Sequence, residues 1–211
     1  IFGPMTLEEY DEGIRGYATG LGGSNNAQGG GSGGFEYGTG KWLLWADGGT
    51  QRTDDYRTAV AKVENSETRV SNGSGGAGWV GDKIFLGLGY RYDSSRYGIP
   101  FDEDDHGEET AHGHEGPIDL TLRRNNIRFD GGLLDLGSGL ESFRLSLNYS
   151  DYQHKELEGT EVGTVFDNQQ LNARGVFQQL TSGFVSGSFG FSFFTRNYEA
   201  IGEEALSPPV D

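Results

Sequence analysis

The sequence predicts an all-β fold: an antiparallel transmembrane β-barrel segment of about nine strands. Three observations point there. Apolar and polar residues alternate along several stretches, most regularly at residues 84–93 and 143–150. Short turns alternate with long polar loops along the chain. Aromatic residues gather beside one or the other kind of connection. A strand points successive side chains to opposite faces, so period-two alternation gives one apolar and one polar face. A membrane barrel with a polar interior uses that pattern, with short turns on one rim and long loops on the other.

Composition fits this expectation. Hydrophobic residues make up 34% of the 211, and Gly accounts for 37 of them. Low hydrophobicity with a net charge of −16 would ordinarily suggest disorder. The 12% of aromatic residues and the repeated alternation argue otherwise. The negative charge argues against a nucleic-acid partner, which needs a basic surface to neutralise phosphate. With no Cys, neither disulfides nor thiolate metal sites are available. No apolar run is long enough for a membrane-crossing helix, a feature that a strand-built barrel does not need.

Taken in order, residues 7–22 read as a first strand of poor phase, followed by a turn at Ser24, Asn25 and Asn26. Residues 30–37 return, and Gly38-Thr39-Gly40 forms a tight turn. Residues 41–57 run out again, with Trp42, Leu44 and Ala46 alternating against Leu43, Trp45 and Asp47, so the apolar face is ambiguous. A polar segment at 54–67 precedes the strand at 68–80, and Gly81-Asp82 turns the chain into the most regular alternation. There Ile84, Leu86, Leu88, Tyr90 and Tyr92 oppose Gly87, Gly89, Arg91 and Asp93.

A long acidic loop follows, and then Ile118, Leu120 and Leu122 alternate with Asp119, Thr121 and Arg123. Ile127 and Phe129 have the opposite parity, and a bulge near residues 124–126 would restore the face. After a turn at 136–139, Phe143, Leu145, Leu147 and Tyr149 oppose Arg144, Ser146, Asn148 and Ser150. A polar loop is expected at 154–161, a strand through Leu171 and Phe177, a turn at Thr181-Ser182, and a last strand through Phe189, Phe191 and Phe193. Trp42, Trp79, Phe143, Phe177 and Phe184 lie beside the short turns. Tyr90, Tyr92, Tyr97, Tyr149, Tyr152 and Tyr198 lie toward the long loops, as two aromatic girdles would. Bacterial barrels close with an even strand number, so nine strands and a polar tail at 199–211 suggest part of a larger barrel.

Several phrases, in order, carry a family resemblance: GYRYDSSRYGIP at 89–100, the His/acid loop, IDLTLRRNNIRFDGG at 118–132, ESFRLSLNYSDYQHKELEG at 141–159, TEVGTVFDNQQLNARG at 160–175 and RNYEAIGEEALSPP at 196–209. From about residue 30 onward the sequence resembles TonB-dependent outer-membrane receptors, closest to the zinc-uptake-like branch. The resemblance implies a 22-stranded barrel in the bacterial outer membrane, a plug domain and a TonB box that engages the TonB complex. No stretch here matches the plug or the box, so the expectation is a partial barrel region across residues 1–211.

The chemistry concentrates in residues 102–115, where His106, His112 and His114 stand among Asp105, Glu108 and Glu109. Imidazole with carboxylate suits zinc and other first-row divalent ions, and Gly107 and Gly113 would let a loop fold around one. A solvated acidic loop with incidental histidines is the alternative. The resemblance implies a divalent metal such as zinc as cargo, captured at this loop, and His154 could join if two loops meet. A receptor for a siderophore or another organic ligand, and a soluble extracellular Ca²⁺-binding β-domain, remain the rival readings.

Arg91, Arg123, Arg128, Arg144 and Arg174 are expected on or near the polar face, paired with acids or lining a solute path. Residues 73–78 match G-x-G-x-x-G, yet a strand rather than a helix follows, so dinucleotide binding is not expected. No G-x-S-x-G elbow and no assignable carboxylate pair occurs, and an enzyme is not expected.

Overall fold

A computed structural model describes residues 12–100, 117–159 and 161–202. Among them are nine strands and no helix: β1 (Gly13–Gly23), β2 (Gln28–Thr39), β3 (Trp42–Thr53), β4 (Thr68–Val80), β5 (Ile84–Ile99), β6 (Ile118–Gly137), β7 (Leu140–Glu158), β8 (Glu161–Gln179) and β9 (Ser188–Gly202). Every strand pairs antiparallel with its sequence neighbours, giving one sheet in the order β1 to β9. The sheet is open, with β1 and β9 at its edges.

Register assigns every side chain to one of two faces, because directly opposed residues share a face. One face carries Trp42 and Leu44 of β3, Trp79 of β4, the even residues Ile84 to Tyr92 of β5, Ile127, Phe129 and Leu133 of β6, Phe143 to Tyr149 of β7, and Phe189, Phe191 and Phe193 of β9. Many of these side chains are exposed: Leu86 is 45%, Leu88 56% and Phe193 54% accessible. We call this the outer face. On the opposite face Phe85 is only 6% accessible and Gly87 is buried, whereas the arginines of β6 to β9 are exposed. It carries Asp47, Ser74, Arg91 and Asp93 in β3 to β5 and mostly arginine, amide and hydroxyl side chains in β6 to β9. Phe85 and Leu120 are the only hydrophobic side chains buried among the described residues. A water-soluble single-layer sheet would hide its apolar face; this one displays it.

The outer apolar patch is a band rather than a whole face. On β5 it runs from Ile84 to Tyr92, the ~9–11 residues that a tilted strand needs to cross a bilayer. Beyond it the outer face turns polar: Ser94 and Arg96 on β5, Arg123 and Thr121 on β6, Gln153 and Lys155 on β7. β6 is 20 residues long and β7 and β8 are 19 each, so these strands extend well past the band.

That extension explains why the parity of β6 changes. No bulge occurs at residues 124–126: pairing with β5 and β7 is unbroken from Ile118 to Leu133, and the only irregularity falls between Leu134 and Gly137. Ile118, Leu120 and Leu122 therefore face inward, whereas Ile127, Phe129 and Leu133 face outward. Above the band the outer surface of β5 to β7 is polar, and the inner face of β6 to β8 gathers apolar contacts instead. Leu120 is buried there, Leu122 shares a row with His154 and Phe166, and Thr164 is 1% accessible.

Three further expectations change. Residues 154–158 are strand, not loop; only Gly159 and Thr160 join β7 to β8. The rim with long connections thus has two of them, at 54–67 and 100–117, beside a short turn at 24–27. On the opposite rim, β8 and β9 are joined by residues 180–187, longer than the tight turn expected at Thr181-Ser182. Finally, Tyr97, Tyr152 and Tyr198 face inward, while Tyr90, Tyr92 and Tyr149 edge the outer band. Successive residues of one strand point to opposite faces, so nearness to a rim does not fix direction.

Many glycines receive an aromatic ring from the neighbouring strand. Trp45 opposes Gly76 in register, and a Cβ on Gly76 would sit 2.7 Å from the indole Cζ2; Gly89, one strand further, would place its Cβ 3.2 Å from the same atom. Phe191 similarly covers Gly175, its partner across β8 and β9. Rings laid over glycines fill the space that missing side chains leave on the sheet.

Candidate functional site

Two regions of the described structure carry concentrated polar chemistry. One is the inner wall of β6 to β9. Its rows, read across the four strands, are Asp130-Ser146-Arg174-Ser192, Arg128-Asn148-Asn172-Phe194, Asn126-Ser150-Gln170-Arg196 and Arg124-Tyr152-Asn168-Tyr198. A period-two strand delivers one of these residues to the wall every second position.

Within that wall Asp130 is the organising carboxylate. It accepts from Arg128 Nε and Nη2, and Ser146 Oγ donates to its Oδ1 at 2.7 Å. The Arg124 guanidinium lies 5.2 Å from the Tyr152 ring centre, and that of Arg196 lies 5.2 Å from the Tyr198 ring centre. Arg196 Nε also donates to Asn168 Oδ1 at 2.9 Å. Nearer the short-turn rim, Arg144 stands 6.0 Å over Phe85. An open groove of about 470 Å³, mostly apolar in lining, runs over Arg128, Asn148, Asn172, Arg174, Phe193 and Phe194.

The expectations for arginine are met in part. Arg91 pairs with Asp93 at 2.7 Å and Arg128 pairs with Asp130, both on the inner face. Arg144 and Arg174 share that face without a carboxylate partner among the described residues. Arg123 does not belong to the set, because register puts it on the outer face beside Gln153. Arg124 and Arg196 were missed. Arg124 sits next to Arg123 in the chain, and only register shows which of the two points inward.

The second region is the connection at residues 54–67. Lys62 Nζ lies 2.7 Å from Asp55, and the Ser66 backbone N–H donates to the same carboxylate at 2.7 Å. The hydrogen bond from Lys62 is the main cause that lowers Asp55 to about 2, and it raises Lys62 in return. Asn65, at φ 57°, donates its side-chain amide to Ile99 O at 2.9 Å and to Ile118 O at 2.8 Å. It thereby ties together the end of β5 and the start of β6. Gly98 makes this possible: any Cβ there would collide with the Asn65 backbone and amide.

His106, His112, His114, Asp105, Glu108 and Glu109 lie outside the described residues. Among the described residues no cluster of three or more His, Asp or Glu could hold a metal ion. His154 is on the inner face of β7, its ring 5.5 Å from Phe166, and its enclosed Nε2 has no hydrogen-bond partner. Residues 73–78 are interior to β4 and open no helix, so they offer no dinucleotide cradle. No family model matches the chain.

Proposed function

We propose that this chain is a wall segment of a bacterial outer-membrane transport barrel, of the TonB-dependent receptor type. The observation that carries the reading is the sorting of the faces: a band of exposed Leu, Ile, Phe and Trp on one, and arginine, amide and hydroxyl groups on the other. Lipid outside and a polar interior inside are what such a sheet satisfies. Aromatic residues edge the band in two rows. Trp42 opposes Trp79, and Phe143, Phe177 and Phe189 touch in sequence at 4.4 and 5.2 Å. At the other edge Tyr90 Oη donates to Asn125 Oδ1 at 2.7 Å, where the outer face turns polar.

Closure requires further strands beside β1 and β9, and a 22-stranded barrel is the size the resemblance suggests. The cargo is a divalent metal such as zinc, captured at His106, His112 and His114 with Asp105, Glu108 and Glu109; uptake is powered through the TonB complex. Neutral imidazoles bind metal and protonated ones do not, so capture weakens as pH falls through the histidine range. The test is zinc titration of detergent-extracted outer-membrane protein. Wild type binds saturably, and replacing the three histidines with Ala lowers affinity. Unchanged affinity removes the loop from the mechanism.

A further inference from the structure

We propose that Asn65 makes the connection at residues 54–67 a strap that sets the metal affinity of the loop at residues 102–115. The inference rests on the capture reading above and adds a positioning residue to it.

The connection carries its own hydrogen bonds. Arg57 and Lys62 form an antiparallel bridge, and the Val63 N–H donates to Tyr56 O at 2.9 Å. The Thr58 hydroxyl donates to Ala61 O at 2.9 Å and accepts from the Ala61 N–H, which closes the turn between them. At the base Asp55 accepts from the Ser66 N–H, and Lys62 Nζ lies 2.7 Å from the same carboxylate. Asn65 therefore extends from a folded hairpin, and what it holds is held against a fixed base.

From that hairpin Asn65 crosses the end of β5 at Gly98, where any Cβ would collide with the Asn65 carbonyl and amide. The Gly98 N–H donates to Glu67 O at 3.2 Å, and Asn65 Nδ2 donates to Ile99 O at 2.9 Å and to Ile118 O at 2.8 Å. Ile99 and Ile118 are register partners, the residues at which β5 ends and β6 begins. Asn65 stands at φ 57°, in the left-handed region that asparagine enters more readily than most residues. One side-chain amide thus uses both of its N–H donors to fix the two ends of the loop. A loop with fixed ends loses less conformational freedom when it orders around an ion, and the smaller loss appears as affinity. By linkage the coupling is reciprocal: an ion that prefers the positioned loop stabilises the Asn65 bonds by the same free energy.

The experiment is zinc titration of the detergent-extracted full chain, with hydrogen exchange of the Gly98 amide followed on the same preparation. Asn65→Gly keeps the left-handed backbone and removes only the amide. Asn65→Asp keeps the shape and replaces both donors by an acceptor. Zinc affinity is expected to fall about fivefold to tenfold in both, with heat-modifiable migration on gels showing each variant folded. In wild type zinc slows exchange of the Gly98 amide by a similar factor. This protection is lost in both variants and when His106, His112 and His114 are replaced by Ala. Equal zinc affinity in the folded Asn65 variants overturns the strap, as does a Gly98 amide indifferent to zinc in wild type that binds it. Absence of zinc binding in wild type, or binding that survives loss of the three histidines, overturns the capture reading itself, so the two failures are distinguishable.

Discussion

The Trp45 indole of β3 lies over Gly76 of β4, its direct register partner, and reaches on to Gly89 of β5. A single side chain thus covers the inner surface of two further strands. A Cβ at Gly76 would lie 2.7 Å from the indole and 2.5 Å from the Leu88 carbonyl oxygen, which is backbone and cannot move aside cheaply. Gly76→Val should therefore destabilise the protein by about 1–3 kcal/mol, the usual cost of overpacking. Gly73 sits on the same strand, and a Cβ there would meet only Asp47 O at 3.8 Å, so Gly73→Ala should be near neutral. Denaturant unfolding in detergent compares the two; equal losses would mean that the ring contact is not what selects glycine at residue 76.

The faces can be separated by placing a charge on each. Leu88 is central in the outer band and 56% accessible, and Leu88→Arg should cost about 2–4 kcal/mol of membrane-folded stability. Ser150, on the inner face of β7, should accept Lys with a change within about 0.5 kcal/mol. Reversible folding into lipid vesicles gives both values. A tolerated Leu88→Arg would remove lipid from the outer face.

The connection at residues 54–67 should be acid-sensitive. Lys62 holds the Asp55 carboxyl at about 2, below its usual 3.8. A depressed carboxylate stabilises the fold above the unfolded pKa and loses that contribution as pH falls through the folded one. Protection of the Ser66 and Val63 amides against hydrogen exchange, corrected for intrinsic rate, should therefore fall between about pH 4 and pH 2. Lys62 is raised, so the same pair weakens again only above pH 10.5. Asp55→Asn should abolish the acid step; if the step persists, another group causes it.

Asn65 bridges Ile99 O and Ile118 O, the backbone at either end of the His/acid loop. Asn65→Ala removes two donors and should lower local stability there by about 1–2 kcal/mol, read as faster exchange of the Gly98 amide and faster proteolytic nicking between residues 99 and 118. Unchanged nicking would show that the loop base is held by strand pairing alone.

Much of the fold was legible because alternation within one strand needs no partner. Ile84 to Tyr92, Phe143 to Tyr149 and Phe189 to Phe193 display their outer residues in the sequence itself. What the sequence concealed depends on relations between strands. The inward turn of Leu120 and Leu122 looked like a bulge, since a slip by one residue and a true change of environment give the same parity switch. The inward tyrosines, Arg124 beside Arg123, and the rings over Gly76 and Gly175 required register. Residues 154–158 carry the polarity of a rim loop, yet they belong to a strand that overshoots the apolar band. The histidine loop lies outside the described residues, and its role rests on titration.

The chain's three tryptophans test the central claim most directly. Trp42 and Trp79 lie on the outer face, opposite each other in register, and Trp45 lies inside over Gly76. Single-tryptophan variants, with the other two replaced by Phe, can be reconstituted in vesicles that contain brominated lipid. The account expects strong quenching of Trp42 and Trp79 and little of Trp45. Equal quenching of all three, or quenching of Trp45 alone, would contradict the assignment of the apolar face to lipid.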